Sequence, residues 1–175
     1  MGYVATARST TKQAIADHWS PLVSELDMGC DWEDAVTDCW RCGVEPSRGL
    51  ERCHIVPAQE PFNGPDDPSN YVLLCSRCHR EAPNVSDPSV MWQWIKDTHR
   101  YYDNGSYSPT WWFETQRDLW DKLSEGCQQA GVTGADEDTL TAIFAQHTGT
   151  HAGDSLNTPT LRFGMTKVIE HIAAA

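Results

Sequence analysis

The chain has 175 residues, with 25 acidic side chains against 13 basic ones and a formal net charge of −12. No global positive field is therefore on hand to neutralise phosphates, which excludes the simplest class of nucleic-acid binder. With 39% hydrophobic residues, 10% aromatic residues and eight Trp, the chain is too apolar for a disordered acidic tail, and one folded domain with a modest core is expected. No window approaches the roughly 18 apolar residues that a membrane-spanning helix needs. The first residues also lack the apolar stretch of a secretory signal, so a cytoplasmic protein is expected.

Residues 10–27 are expected to be helical. Ala14, Ile15, His18 and Trp19 are followed by Leu22, Val23 and Leu26 at helical spacing, with an interruption at Ser20-Pro21, where Ser can cap and Pro can open a second short helix. Asp31 is then placed to cap a helix through Trp32 and Val36. Residues 50–56 and 71–74 are short, apolar and β-prone, and the stretch 57–69 is a loop of Pro, Asn, Gly and Asp, so two antiparallel strands joined by a long loop are predicted. Cys78-His79-Arg80-Glu81 should lie in a short helix that Pro83 curtails. Beyond residue 86 the pattern is helical. Asp87-Pro88 opens a helix carrying Met91, Trp92, Trp94 and Ile95, and Ser108-Pro109 opens one carrying Trp111, Trp112, Leu119, Trp120 and Leu123. Asp136 caps a third with Leu140, Ile143 and Phe144, and Thr158-Pro159 opens a last one through Val168, Ile169 and Ile172. The Trp residues of these helices are read as core rather than as a base-stacking platform.

Seven Cys fall at positions 30, 39, 42, 53, 75, 78 and 127. Two pairs share one spacing, Cys39-Trp-Arg-Cys42 and Cys75-Ser-Arg-Cys78, with 32 residues between them. The odd count and the paired spacing favour a metal over disulfides. Each knuckle presents two thiolates on one tight turn, and the two together complete the closed tetrahedral shell of a structural Zn²⁺. Scattered buried thiols would not explain two identical spacings, and neither pair has the strand–helix setting of a redox dithiol.

Between the knuckles lie His54 on the first predicted strand and Asn70 at the start of the second, and His79 directly follows the last zinc Cys. Taken singly, each has an ordinary explanation, as a core histidine, a turn residue and a spare metal ligand. In the order His, Asn, His, framed by C-x-x-C pairs from Cys39 to about Pro83, they resemble the HNH endonuclease family with its ββα-metal active site. The resemblance covers roughly a quarter of the chain. It implies an α+β, mostly α, fold: a ββα-metal core with a four-cysteine zinc site, flanked by N- and C-terminal α-helices. The corresponding division is a helical segment 1–38, a core 39–86 and a helical segment 87–175, packed as one compact unit.

The resemblance also implies roles. His54 aligns with the general base, a task suited to an imidazole, which titrates near neutrality, once a partner fixes the ring. Asn70 aligns with the residue that holds the hairpin loop or orients that imidazole, and His79 with a ligand of the catalytic divalent ion, Mg²⁺, Mn²⁺ or another transition metal. Arg52, Arg77 and Arg80 are candidate phosphate contacts. One position departs from the family pattern. The residue before the general base is commonly Asp, an oxygen ligand for Mg²⁺, and here it is Cys53, whose thiolate suits softer ions. Three arrangements follow: His79 and waters hold the ion, which is preferred; Glu51 or Asp66 supplies an oxygen; or Cys53 ligates Mn²⁺, Ni²⁺ or Zn²⁺. Glu51 shares strand parity with Cys53 and not with His54.

Charge divides by segment. Residues 1–38 hold two basic and seven acidic groups, net −5; residues 39–80 hold five of each, net 0; residues 81–175 hold six and thirteen, net −7. The cations of the middle segment, Arg41, Arg48, Arg52, Arg77 and Arg80, are all Arg, which suits bidentate phosphate contact. The expected activity is therefore cleavage of DNA by a phage or bacterial HNH endonuclease, with no membrane partner. A homodimer and a basic protein partner for the acidic helices stay open. The rival readings are a non-catalytic zinc-knuckle module that binds nucleic acid or protein and an acidic, DNA-mimicking interaction protein.

Overall fold

The computed structural model describes residues 10–99, 117, 121, 124, 125, 127–129, 131, 137–149 and 157–174. The Ser108-Pro109 start of one expected helix, its residues Trp111, Trp112, Leu119, Trp120 and Leu123, and the cap expected at Asp136 lie outside these residues. No helix among the described residues is long and apolar enough to cross a membrane.

Helix α1 spans Lys12–Trp19 and is capped by Thr11, whose hydroxyl accepts a hydrogen bond from the Ala14 amide at 3.1 Å. Its buried residues are Ile15 and Ala16. Pro21 does not open a second α-helix. The chain instead makes a 3₁₀ turn at Glu25–Asp27, capped by Ser24. Asp31 likewise caps no α-helix: only a 3₁₀ turn, Trp32–Asp34, follows, the Asp31 side chain accepts no cap bond, and the Trp32 amide donates to Glu25 Oε1 at 2.8 Å instead. Residues 29 and 43 press backbone to backbone, with the Gly29 amide donating to the Trp40 carbonyl at 2.7 Å. A Cβ on Gly43, at φ +66°, would sit 2.3 Å from the Gly29 carbonyl oxygen, and one on Gly29 would sit 2.5 Å from the Arg41 carbonyl oxygen, so both positions need glycine and the two ends of this stretch are held together.

Strands β1, Glu51–His54, and β2, Tyr71–Leu74, pair antiparallel with Glu51 opposite Leu74 and His54 opposite Tyr71. All four β2 residues are buried, whereas β1 leaves Glu51 and Arg52 exposed and is shorter than the predicted 50–56. Helix α2, Ser76–Glu81, starts immediately after β2 and ends before Pro83, as its sequence leads one to expect. Helix α3 spans Ser89–Thr98, with Asp87 Oδ1 accepting from both the amide and the hydroxyl of Ser89 at 2.9 and 2.7 Å.

Helices α4, Glu137–His147, and α5, Thr158–Ala174, pack on each other. Asn157 rather than Thr158 caps α5, accepting from the Thr160 amide at 3.1 Å, and its Nδ2 donates to the Ala82 and Arg80 carbonyls at the end of α2. The Asn84 amide donates to Thr160 Oγ1 at 2.8 Å, and Val85 bridges to Thr148. The result is an α+β fold, mostly helical, around a small two-stranded sheet.

One hydrophobic cluster runs from α1 through the first knuckle and both strands to α3 and includes Ile15, Trp40, Cys53, Leu73, Met91 and Ile95. The described Trp residues behave as core. The Trp40 ring lies 5.2 Å from Trp32 and 6.0 Å from Trp92, Trp92 lies 4.6 Å from Trp19, and Trp40 Nε1 donates to the Ala35 carbonyl at 2.8 Å.

Candidate functional site

The sulfurs of Cys39, Cys42, Cys75 and Cys78 converge within 4.8 Å of one another. Four thiolates at about 2.3 Å from a tetrahedral Zn²⁺ stand roughly 3.8 Å apart, and the Cys42 and Cys75 sulfurs are 3.9 Å apart. The donor set and its size therefore fit structural zinc. Two backbone bonds build the first knuckle, Gly43 amide to Cys39 carbonyl at 2.8 Å and Cys39 amide to Val44 carbonyl at 3.1 Å, while the Trp40 amide ties it to β2 at Leu73. In the second knuckle Cys75 caps α2, its sulfur accepting from the Cys78 amide at 3.4 Å. Bonds from Cys39 and then Cys78 hold Cys42 down to about 4, whereas the bond to Cys39 and burial push Cys75 up to about 12.

Arg41 is not a phosphate contact. Its side chain is 1% exposed, with Nε donating to Thr98 Oγ1 at 2.8 Å, Nη1 donating to Glu81 and lying 3.8 Å from Cys78 Sγ, and the guanidinium 4.2 Å from the centre of the Trp94 ring. The fold uses this cation beside the thiolate cluster, where it offsets negative charge. The sequence shows an Arg inside a knuckle but not which way it points. Arg48, Arg52, Arg77 and Arg80 are exposed. Arg52 donates to the Thr10 carbonyl at 2.8 Å, and Arg77 Nε lies 3.5 Å from Glu81.

His54 ends β1, half-buried, with its ring 4.5 Å from that of its cross-strand partner Tyr71. The Tyr71 hydroxyl donates to Asp66 at 2.7 Å, and burial, followed by that bond, pushes its pKa up to about 12, so it remains a donor. Asn70 sits at the same end of the hairpin, buried. Its Oδ1 accepts from the Val56 amide at 2.8 Å, and its Nδ2 donates to the Val56 and Pro65 carbonyls at 2.9 and 3.0 Å, which closes the long loop onto β1. Gly64 completes the closure, since a Cβ there would lie 2.1 Å from the Val56 oxygen.

His79 projects from α2, which packs against both strands, and its Nδ1 lies 2.7 Å from Glu51 Oε2 on β1. Cys53 is wholly buried, with a thiol that burial, then the charge of Glu51, pushes up. Among the described residues, the only group of three or more His, Cys, Asp or Glu side chains close enough to hold an ion is the four-Cys cluster. The structure thus gathers His54 with Asn70 at one end of the hairpin and joins His79 to β1 at its other end, through Glu51.

The HNH endonuclease family model matches residues 30–84. No curated protein and no solved structure matches the chain. The HNH segment takes in the 3₁₀ turn Trp32–Asp34, the zinc-type cluster, both strands, α2 and the turn that receives α5. Its hairpin and helix are consistent with a ββα-metal fold.

Proposed function

We propose that this protein is a metal-dependent endonuclease that hydrolyses DNA phosphodiester bonds, with His54 as general base and His79 as the ligand of a divalent ion. The observation that supports this reading is the coincidence of the HNH match with a hairpin that carries His54 and a helix that carries His79, both braced by the four converging thiols. The His54 ring is backed by Tyr71, which Asp66 fixes in turn. The ring contact limits rotation of the imidazole, whose neutral form has one nitrogen as acceptor for a proton from the attacking water. Asn70 holds the loop beyond His54 and so sets the end of the strand that carries the base. A bound divalent ion supplies Lewis-acid stabilisation of charge on the phosphate and the leaving 3′ oxygen. His79, half-buried on α2, is the nitrogen donor for it. Cys53 we assign to the core, because its sulfur is walled off from solvent. Among the exposed cations, Arg52, Arg77 and Arg80 are our candidate contacts to the substrate backbone.

The test is plasmid nicking by zinc-loaded protein under Mg²⁺, Mn²⁺, Co²⁺ and Ni²⁺. His54→Ala is expected to abolish cleavage with zinc content and melting temperature unchanged, and retained cleavage would show that the base is wrongly assigned. Cys53 in place of an acid favours a second reading, a non-catalytic zinc-knuckle module that binds nucleic acid or protein. DNA binding without turnover under every ion would select it.

A further inference from the structure

The geometry points to Glu51 as a positioning residue that fixes the tautomer and aim of His79, and so takes over part of the work of the acid missing at position 53. This inference rests on the reading of His79 as an ion ligand. Glu51 Oε2 stands 2.7 Å from His79 Nδ1. An ionised carboxylate only accepts hydrogen bonds, so Nδ1 carries the hydrogen, and in the neutral ring Nε2 is left with the lone pair. A carboxylate behind the far nitrogen of a metal-binding imidazole orients the ring and raises its basicity.

The fold leaves this task to Glu51. Of the other nearby acids, Glu81 on α2 is engaged by Arg41 and Arg77, and Asp66 by the Tyr71 hydroxyl. Cys53, on the same strand face as Glu51, is buried away from any ion at the surface. Register makes the pairing reproducible: Glu51 lies opposite Leu74, and Cys75, the next residue, is both a zinc-type ligand and the cap of α2. The zinc knuckle thus sets the spacing of strand and helix, and the carboxylate then limits rotation of the imidazole. An ordinary exposed ion pair would have the same partners but no consequence for metal affinity.

The experiment is a Mn²⁺ titration of the zinc-loaded full chain followed by electron paramagnetic resonance, since Mn²⁺ does not displace zinc from four thiolates. His79→Ala, which tests the underlying reading, should abolish Mn²⁺ binding. Glu51→Ala should weaken it by about 10- to 100-fold, while Glu51→Gln, which keeps an acceptor oxygen at the same reach, should recover most of the loss. Zinc content and melting temperature should not change, because the Glu51 side chain is 48% exposed. Long-range proton–nitrogen spectra without Mn²⁺ should show His79 with hydrogen on Nδ1 in the wild type, and that population should fall in Glu51→Ala. Wild-type affinity in Glu51→Ala would overturn the inference. Equal loss in Glu51→Gln, Glu51→Ala and His79→Ala would also overturn it, in favour of direct ligation by Glu51. Unchanged binding in His79→Ala, or none in the wild type, would remove the ion site itself. Glu51-dependent binding without DNA cleavage would leave the inference standing and sink the nuclease reading.

Discussion

Arg41 and Arg77 occupy the same position in their two knuckles, the third residue of C-x-x-C, yet the fold gives them opposite fates. Arg77 stands at the surface with a long contact to Glu81. Arg41 is enclosed by Thr98, Glu81, Trp94 and the Cys78 sulfur, and so connects the zinc-type cluster to α2 and α3 at once. A buried cation with satisfied donors is costly to remove, because its carboxylate and thiolate partners lose their counter-charge. Arg41→Met should therefore lower stability by about 3 kcal/mol and speed the release of zinc to a chelator. Arg41→Lys should fall between, keeping the charge but losing the planar fork that reaches Thr98 and stacks on Trp94. Arg77→Ala should change stability by less than about 0.5 kcal/mol. Thermal melts and chelator-competition rates check all three, and an Arg41→Met protein as stable as the wild type would assign this cation no structural role.

At the scale of elements, α3 shows how a local signal becomes a measurable contribution. Asp87 accepts two hydrogen bonds from Ser89 at the start of the helix, chiefly from the hydroxyl, and these hold its carboxyl below the usual carboxylate range. A folded-state pKa below the unfolded one means a contribution that is complete above about pH 4 and lost as pH falls through the folded value. Asp87→Ala should cost about 1 kcal/mol at neutral pH, and the gap between the two melting curves should close in acid. A gap that stays constant down to about pH 2 would mean that the Asp87 charge plays no part at this helix start. Starts of this kind were legible in the sequence: Asp87-Pro88 opens α3, Thr158-Pro159 lies at the start of α5, and alternating loop and apolar stretches mark β1 and β2. Ser20-Pro21 carries the same signal and opens no α-helix: the chain runs on to the 3₁₀ turn Glu25–Asp27, capped by Ser24. The zinc-type cluster was legible from spacing alone. The Glu51 contact to His79 and the burial of Arg41 were not, since both depend on pairing across 28 and 40 residues of chain rather than on any neighbour in sequence.

For the molecule as a whole, the cluster of apolar side chains includes Cys39 and Cys78 beside Ile15 of α1 and Ile95 of α3, so a metal bound at the four thiols is part of the core and not an appendage to it. Removing zinc with a chelator, or replacing Cys39 or Cys75 by Ser, should therefore unfold α1, the hairpin and α3 together. Circular dichroism would show one cooperative loss, whereas retained helix signal would mean that the core stands without metal. The same integration limits what is left for DNA. Arg41 is spent on the core, so residues 39–80 offer four exposed cations, Arg48, Arg52, Arg77 and Arg80, within a chain of net charge −12. Each phosphate neutralised adds about −0.9 to the slope of log affinity against log salt concentration. Binding of duplex DNA by the zinc-loaded His54→Ala protein should thus show a slope no steeper than about −4. Arg52→Ala, Arg77→Ala and Arg80→Ala should each flatten it by roughly one, as read by fluorescence anisotropy across a salt series. A slope of about −10 would require a basic surface outside the HNH segment.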